Sequence, residues 1–327
     1  LTPDSEAPAA ENGTLTAENK PADRSDTTRR RLTPLTANRA MAVYIVVTFV
    51  TQLVLLAVLH VSIGVTLLVG GALTLAAYAL LFPDAFRELR AHPRWRTRPD
   101  VLTVLGALAL GFVASRGASA FLQAVFPGAS KALQQYNGIF TADSGGALWI
   151  LLSGGLLIPF VEELAFRGFG LTGYERRLSP FLAALFTSVL FALMHGAPAQ
   201  VFAILPLSWV IARVVQYTGS FWSGFAVHAA NNTFSLAVAL LILGNPTLAK
   251  ASVEAASRPL PIAAGLMGLA MAAVSLWGAS VWLRPRNVPP STPGPVWSAS
   301  LTVPLLWFAV AAFGASVGSL VRNWLPQ

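Results

Sequence analysis

The chain contains no cysteine. Thiolate catalysis, Cys-ligated metal sites and disulfides are therefore excluded. Charge is scarce as well: 11% of the residues are Asp, Glu, Lys or Arg, against about 25% in an average soluble domain. Hydrophobic residues make up 55%, and that imbalance marks a membrane protein. Histidine is rare, with four in 327 residues, so those inside apolar segments stand out. The net charge of +8 does not point to nucleic acid as a partner. The basic residues flank apolar runs, as topology signals do.

Residues 1–40 are polar, rich in Thr, Pro and Ala, and carry no apolar periodicity. They cannot bury enough surface to offset ordering entropy, which predicts a disordered cytoplasmic tail. Thr28-Arg29-Arg30-Arg31 faintly resembles a twin-arginine signal, but the apolar run that follows is long and lacks a small-residue cleavage site. A retained first helix is the expectation. From residue 41 the apolar runs match the length of about 20 residues needed to span a bilayer. The predicted spans are 41–59, 62–82, 101–126, 147–170, 181–196, 200–216, 221–243, 262–283 and 299–320. The fold expected is all-α, a polytopic membrane helical bundle of eight or nine transmembrane helices. His60 and Val61 alone separate the first two spans, which form either a tight hairpin or one interrupted unit.

With the N-terminal tail inside, the inner segments hold 14 basic residues and the outer ones four, Lys131, Lys250, Arg258 and Arg322. The positive-inside rule then puts the N-terminus in the cytoplasm. Loop 83–100 is a basic topology determinant that also suits anionic headgroups. Residues 284–298 form a stiff Pro-rich linker. It divides the bundle, 41–283, from an accessory helix at 299–327. In that helix Gly314-Ala-Ser-Val-Gly318 offers a small-residue packing face, expected to pack within the chain rather than to form a dimer.

The polar groups at membrane depth are few. The fourth span carries Glu162, Glu163 and Arg167 in Pro159-Phe-Val-Glu-Glu-Leu-Ala-Phe-Arg-Gly168. A charge near the bilayer centre costs about 2.5–3.5 kcal/mol on insertion scales, so each is a functional candidate. The fifth span gives His195 and the seventh gives His228, Asn231 and Asn232. At about 1.5 Å per residue, these groups fall within one or two helical turns of a common depth. Glu163 and Arg167 are i and i+4, in the favourable order for an ion pair. Glu162 is rotated about 100° away and has no partner on its own helix. It is the group suited to general-base or general-acid work, with His195 beside it. His228 and Asn232, also i and i+4, would form an oxyanion-stabilising pair. Arg116, on the third span, has two readings: contact with a substrate carboxylate, or snorkelling to the outer interface, which the sequence favours.

Glu162-Glu163-x-x-x-Arg167, Phe191-x-x-x-His195 and His228-x-x-x-Asn232 resemble, in order and helix placement, the three motifs of the CAAX-processing and bacteriocin-processing (CPBP) intramembrane endopeptidases. The best-known branch of that family is the type II CAAX prenyl endopeptidase. The resemblance covers roughly residues 147–243. It implies an all-helical membrane fold, proteolysis inside the membrane and a glutamate-activated water. Glu162 would be the base, His195 its partner, His228 and Asn232 the oxyanion donors, and Glu163 with Arg167 the support. The expected substrate is a peptide or protein that is membrane-embedded or lipidated; no cofactor is expected, zinc being the alternative, and the expected location is a bacterial cytoplasmic membrane.

Three other readings compete. Two histidines and a glutamate could ligate zinc with a water, although none of the four histidines begins a His-Glu-x-x-His motif. A serine protease would need a Gly-x-Ser-Gly form, and an aspartyl protease a Gly-x-Gly-Asp form; both are absent. A transporter or non-catalytic immunity protein could use the same charges as an ion site. A transporter would favour broken helices in matching halves, and no such pairing is visible.

Overall fold

The computed structural model describes residues 31–126, 146–286 and 291–324, without the side chains of 256–257 and 314–324. Residues 1–30 of the tail expected at 1–40, Lys131, and the side chains of the Gly314–Gly318 packing face and Arg322 lie outside what is described.

Among the described residues all regular structure is helical, and seven helices are long and apolar enough to cross a membrane. These are α1 (Pro34–Val58, whose last seven residues are π-helical), α2 (Ile63–Leu81), α5 (Val101–Val125), α6 (Ala147–Tyr174), α8 (Pro198–Thr218), α9 (Phe221–Leu243) and α11 (Ile262–Trp282). Two shorter apolar helices complete the bundle: α7 (Pro180–Met194) and the apolar part of α12 (Thr302–Trp324). Short helices α3 (Pro83–Ala91), α4 (Pro93–Arg96) and α10 (Pro246–Ser257) lie between spans. Proline opens six of the helices, a position where its missing N–H costs nothing and its fixed φ favours the first turn.

The first helix begins at Pro34, seven residues before the predicted span. Thr33 caps it by accepting from the Thr36 amide, and Asn38 is buried. The Asn38 amide donates to Val296 O at 3.0 Å and Ser298 Oγ at 2.8 Å. Tyr174 OH donates to its Oδ1. Residues 34–40 are thus ordered by partners more than a hundred positions away, which local polarity does not reveal. His60, with φ of 54°, reverses the chain between α1 and α2, so the hairpin reading holds.

One end of the bundle gathers the arginine-rich loops. Arg94 Nη1 pairs with Glu175 Oε2 at 2.7 Å, and Gln216 Nε2 donates to Glu175 Oε1 at 2.8 Å. Trp222 Nε1 donates to Trp95 O at 2.7 Å, which clamps α4 to the start of α9. Burial, with Arg94 and Arg176 nearby, pulls His92 down from 6.5 to about 4. Its neutral Nδ1 can therefore accept the Arg94 amide at 3.2 Å. The Pro-rich linker lies along this same end: the Thr292 amide donates to Arg176 O at 3.0 Å.

The main core surrounds α6 with side chains of α1, α2, α7, α8 and α9. Within α6, π-helical turns at Ser153–Leu157 and Leu164–Leu171 flank Ile158–Glu163. Such turns change the side-chain phase and loosen the hydrogen-bond ladder. Two glycines let α9 close on them. A Cβ at Gly155 would lie 2.7 Å from Thr233 Oγ1, and one at Gly224 would lie 2.5 Å from Val215 Cγ2 and 3.2 Å from Glu163 Oε2.

Candidate active site

Glu163 and Arg167 make the ion pair their spacing predicts. Arg167 Nη1 donates to Glu163 Oε1 at 2.9 Å, and both side chains are 0% exposed. Arg167 Nη2 donates to Ser208 O at 2.9 Å and Ser208 Oγ at 2.8 Å on α8. Its guanidinium also lies 4.8 Å from the Phe191 ring centroid. A fully desolvated pair is tolerated when its remaining donors find acceptors in this way.

Glu162 finds its partners on other helices. Tyr44 OH, from α1, donates to Glu162 Oε1 at 2.8 Å. His228 Nε2, from α9, lies 3.5 Å from Glu162 Oε2, and Nδ1 of the same ring lies 2.9 Å from Glu163 Oε1. One imidazole therefore bridges both carboxylates. Glu163 Oε1 accepts from Arg167 Nη1, and an oxygen in that role can only accept, so the geometry makes His228 Nδ1 the donor. Nε2 then faces Glu162 across a gap where a proton can pass.

His195 is the C-cap of α7, with Nδ1 3.0 Å from Phe191 O. A carbonyl can only accept, so Nδ1 donates and the neutral ring presents Nε2 as an acceptor. Phe191 is the common packing surface for both histidines. Its ring centroid is 5.1 Å from that of His195 and 5.4 Å from that of His228. The Asn231 amide donates to Asn232 Oδ1 at 3.2 Å, and Asn232 Nδ2 reaches Gly154 O at 3.4 Å in the π-helical turn. This leaves the second Asn232 N–H to donate elsewhere.

Glu162, His195 and Asn232 line one cavity of about 450 Å³, together with Tyr44, Arg116 and Trp307. His228, Glu163 and Arg167 lie behind its wall, all nearly or fully buried. The predicted site residues thus assemble, in a different partnership from the one read along the sequence. The pairing of His228 with Asn232 as open donors becomes His228 turned onto the two carboxylates. His195 shares the cavity wall with Glu162, and its hydrogen bond goes to its own helix. Arg116 borders the cavity rather than only the outer interface. Among the described residues, no three His, Asp or Glu side chains are grouped so as to hold a metal ion.

Two wall residues escaped the sequence reading. Tyr44 lies three residues into the predicted 41–59 span, where a tyrosine is ordinary at an interface; only the helix start at Pro34 places it in the interior. Trp307, on the helix that the linker was expected to set apart, donates through Nε1 to Met194 O at 2.7 Å and meets Phe49 edge-on at 5.1 Å. No sequence signal connects it to the site. Tyr44→Phe removes one donor to a carboxylate and keeps the ring that packs 6.5 Å from Phe166. Turnover is expected to fall on the order of tenfold, the scale of one hydrogen bond to a charged group. Single-turnover kinetics would check this, and unchanged turnover would show that the hydroxyl plays no part.

Residues 144–234 match the family model described as Rce1-like, type II CAAX prenyl endopeptidase Rce1-like. The matched segment holds every residue of the three motifs. Neither the curated proteins nor the solved structures yield a match. At the level of the family, the match supports a CAAX-protease-like intramembrane endopeptidase, and with the seven apolar helices it supports a multi-pass membrane protein.

Proposed function

We propose, from the family of the 144–234 segment, that this chain hydrolyses peptide bonds of membrane-embedded or lipidated substrates with a water activated by Glu162. The observation that carries the reading is the position of Glu162: on the cavity wall with His195 and Asn232, its oxygens directed by Tyr44 and His228.

The chemistry follows from those contacts. A water in the cavity gives a proton to Glu162 while its oxygen bonds to the substrate carbonyl carbon. His195 Nε2 accepts a hydrogen bond from the water's other O–H, which stays on the oxygen, and so orients the water. The carbonyl oxygen becomes an oxyanion, to which the second Asn232 N–H donates. Glu162 returns its proton to the leaving nitrogen as the C–N bond breaks, and the carboxylate is restored. His228 sits between Glu163 and Glu162, where it can hold that proton in transit. Arg167 holds Glu163 in place, and Glu163 fixes the His228 tautomer in the way a buried carboxylate orients a triad histidine.

The mechanism uses no cofactor and no metal. The partners are a peptide or protein substrate and the bilayer, with no nucleic acid. By the positive-inside rule the arginine-rich end, where α1 starts, faces the cytoplasm, and the membrane proposed is a bacterial cytoplasmic membrane.

Mass spectrometry of membrane peptides from cells making the wild-type chain or Glu162→Gln tests the reading. New peptide termini are expected with the wild type alone. Identical termini in both would overturn the proposal. Loss of purified activity on chelation, regained with zinc, would replace the glutamate-only mechanism with a metal-dependent one.

A further inference from the structure

Most arginines drawn into the fold have a polar match. Arg167 pairs with Glu163, Arg94 with Glu175 and Arg176 with Glu88, and Arg213 donates to Gln216. Arg116 differs. It lies within a membrane-spanning helix, and among the described residues it makes no ion pair or hydrogen bond; its guanidinium carbon is 5.7 Å from the Phe112 ring centroid. Phe112 is in turn held edge-on by Phe234 at 6.0 Å. Arg116 is exposed and lines the same cavity as Glu162. A cation inside a span carries an insertion cost, so one left without a counter-charge at a substrate cavity is suited to an anion that the substrate brings.

We infer that Arg116 forms a subsite for a substrate carboxylate, an inference that rests on the protease reading of the cavity. A planar guanidinium matches a carboxylate with two parallel N–H donors. Asn232 and Ser235 also line the cavity, so its wall offers further polar groups to a substrate. The spacing sets where the carboxylate sits. α5 leaves the arginine-rich end and α6 returns to it, so their opposite ends lie together. Arg116 is nine residues from Val125 and Glu162 fifteen from Ala147. At about 1.5 Å per residue, their depths differ by about 9 Å. That is the reach of two or three extended residues. Arg116 also lies outside the 144–234 segment, so the subsite is a feature of this chain's own flanking helix.

The ligand carboxylate has two sources, a peptide C-terminus or an acidic side chain, and a binding experiment separates them. The probes are a fluorescently labelled apolar Leu/Ala hexapeptide as the free acid, its C-terminal amide, and the amide with Asp as the final residue. Affinities are measured for full-length Glu162→Gln in nanodiscs, with and without Arg116→Gln and Arg116→Lys. Because the probes are not cleaved, binding is read separately from the protease reading, which fails or stands on wild-type turnover. The free acid is expected to bind roughly 10- to 100-fold more tightly than the amide. Arg116→Gln should abolish that preference and Arg116→Lys keep part of it. Tight binding of the Asp-bearing amide, lost in Arg116→Gln, would assign the side chain as the source. Equal affinity for acid and amide, or a preference that survives Arg116→Gln, would overturn the inference.

Discussion

Glu162→Gln is expected to lower peptide hydrolysis by at least the 10²–10⁴-fold that a positioned general base contributes, while the protein stays folded. Glutamine keeps the shape and still accepts the Tyr44 hydroxyl, 2.8 Å from Oε1 in the parent. Its amide can donate towards His228 Nε2, 3.5 Å from Oε2. What disappears is the capacity to take a proton from water and return it to the leaving nitrogen. Substrate binding should persist, because the Arg116 and Asn232 sides of the cavity are untouched. Single-turnover cleavage and equilibrium binding on the same preparation separate the two effects. Cleavage near the wild-type rate would remove Glu162 from the chemistry and leave His195 as the base to test.

Arg167→Met is expected to produce the largest loss of stability in the bundle. Both members of the Arg167–Glu163 pair are 0% exposed. Removing one partner of a buried pair costs about 3–5 kcal/mol, since the other charge stays desolvated. Ser208 would lose the donor that now satisfies its carbonyl and hydroxyl. The Glu163→Gln/Arg167→Met double variant separates charge from packing. If uncompensated charge dominates, the double variant is more stable than Arg167→Met alone, as read by unfolding in mixed micelles. Additive losses would instead assign the effect to the guanidinium stacked on Phe191. In either case hydrolysis should fall, because Glu163 loses the partner that holds its Oε1 against His228 Nδ1.

The two experiments draw on different layers of information. The ion pair was legible from the i, i+4 spacing of Glu163 and Arg167, and it forms even though the following residues wind into a π-helical turn. The spans were legible because lipid demands length and apolarity together: Phe221–Leu243 matches its predicted bounds, and Val101–Val125 differs by one residue. The bridging role of His228 was not legible. Spacing orders His228 and Asn232 along one helix face but does not say which neighbouring helix that face meets. Tyr44 was missed for the same reason, since its partner lies 118 positions away.

The sequence by itself determined that this is a helical membrane protein without thiol chemistry. It marked the costly polar residues, Glu162, Glu163, Arg167, His195, His228 and Asn232, and the pairing of two of them. Those conclusions follow from local physics: transfer cost, helix periodicity and charge asymmetry act within one segment. The tertiary structure alone decided the partnerships across helices: Tyr44 on Glu162, His228 between two glutamates, Trp307 and Arg116 on the cavity wall. Such contacts depend on how closely helices approach, here set by Gly155 of α6 against α9, by Gly224 of α9 against α8 and Glu163, and by the π-helical turns of α6. No segment read alone carries its distance to another.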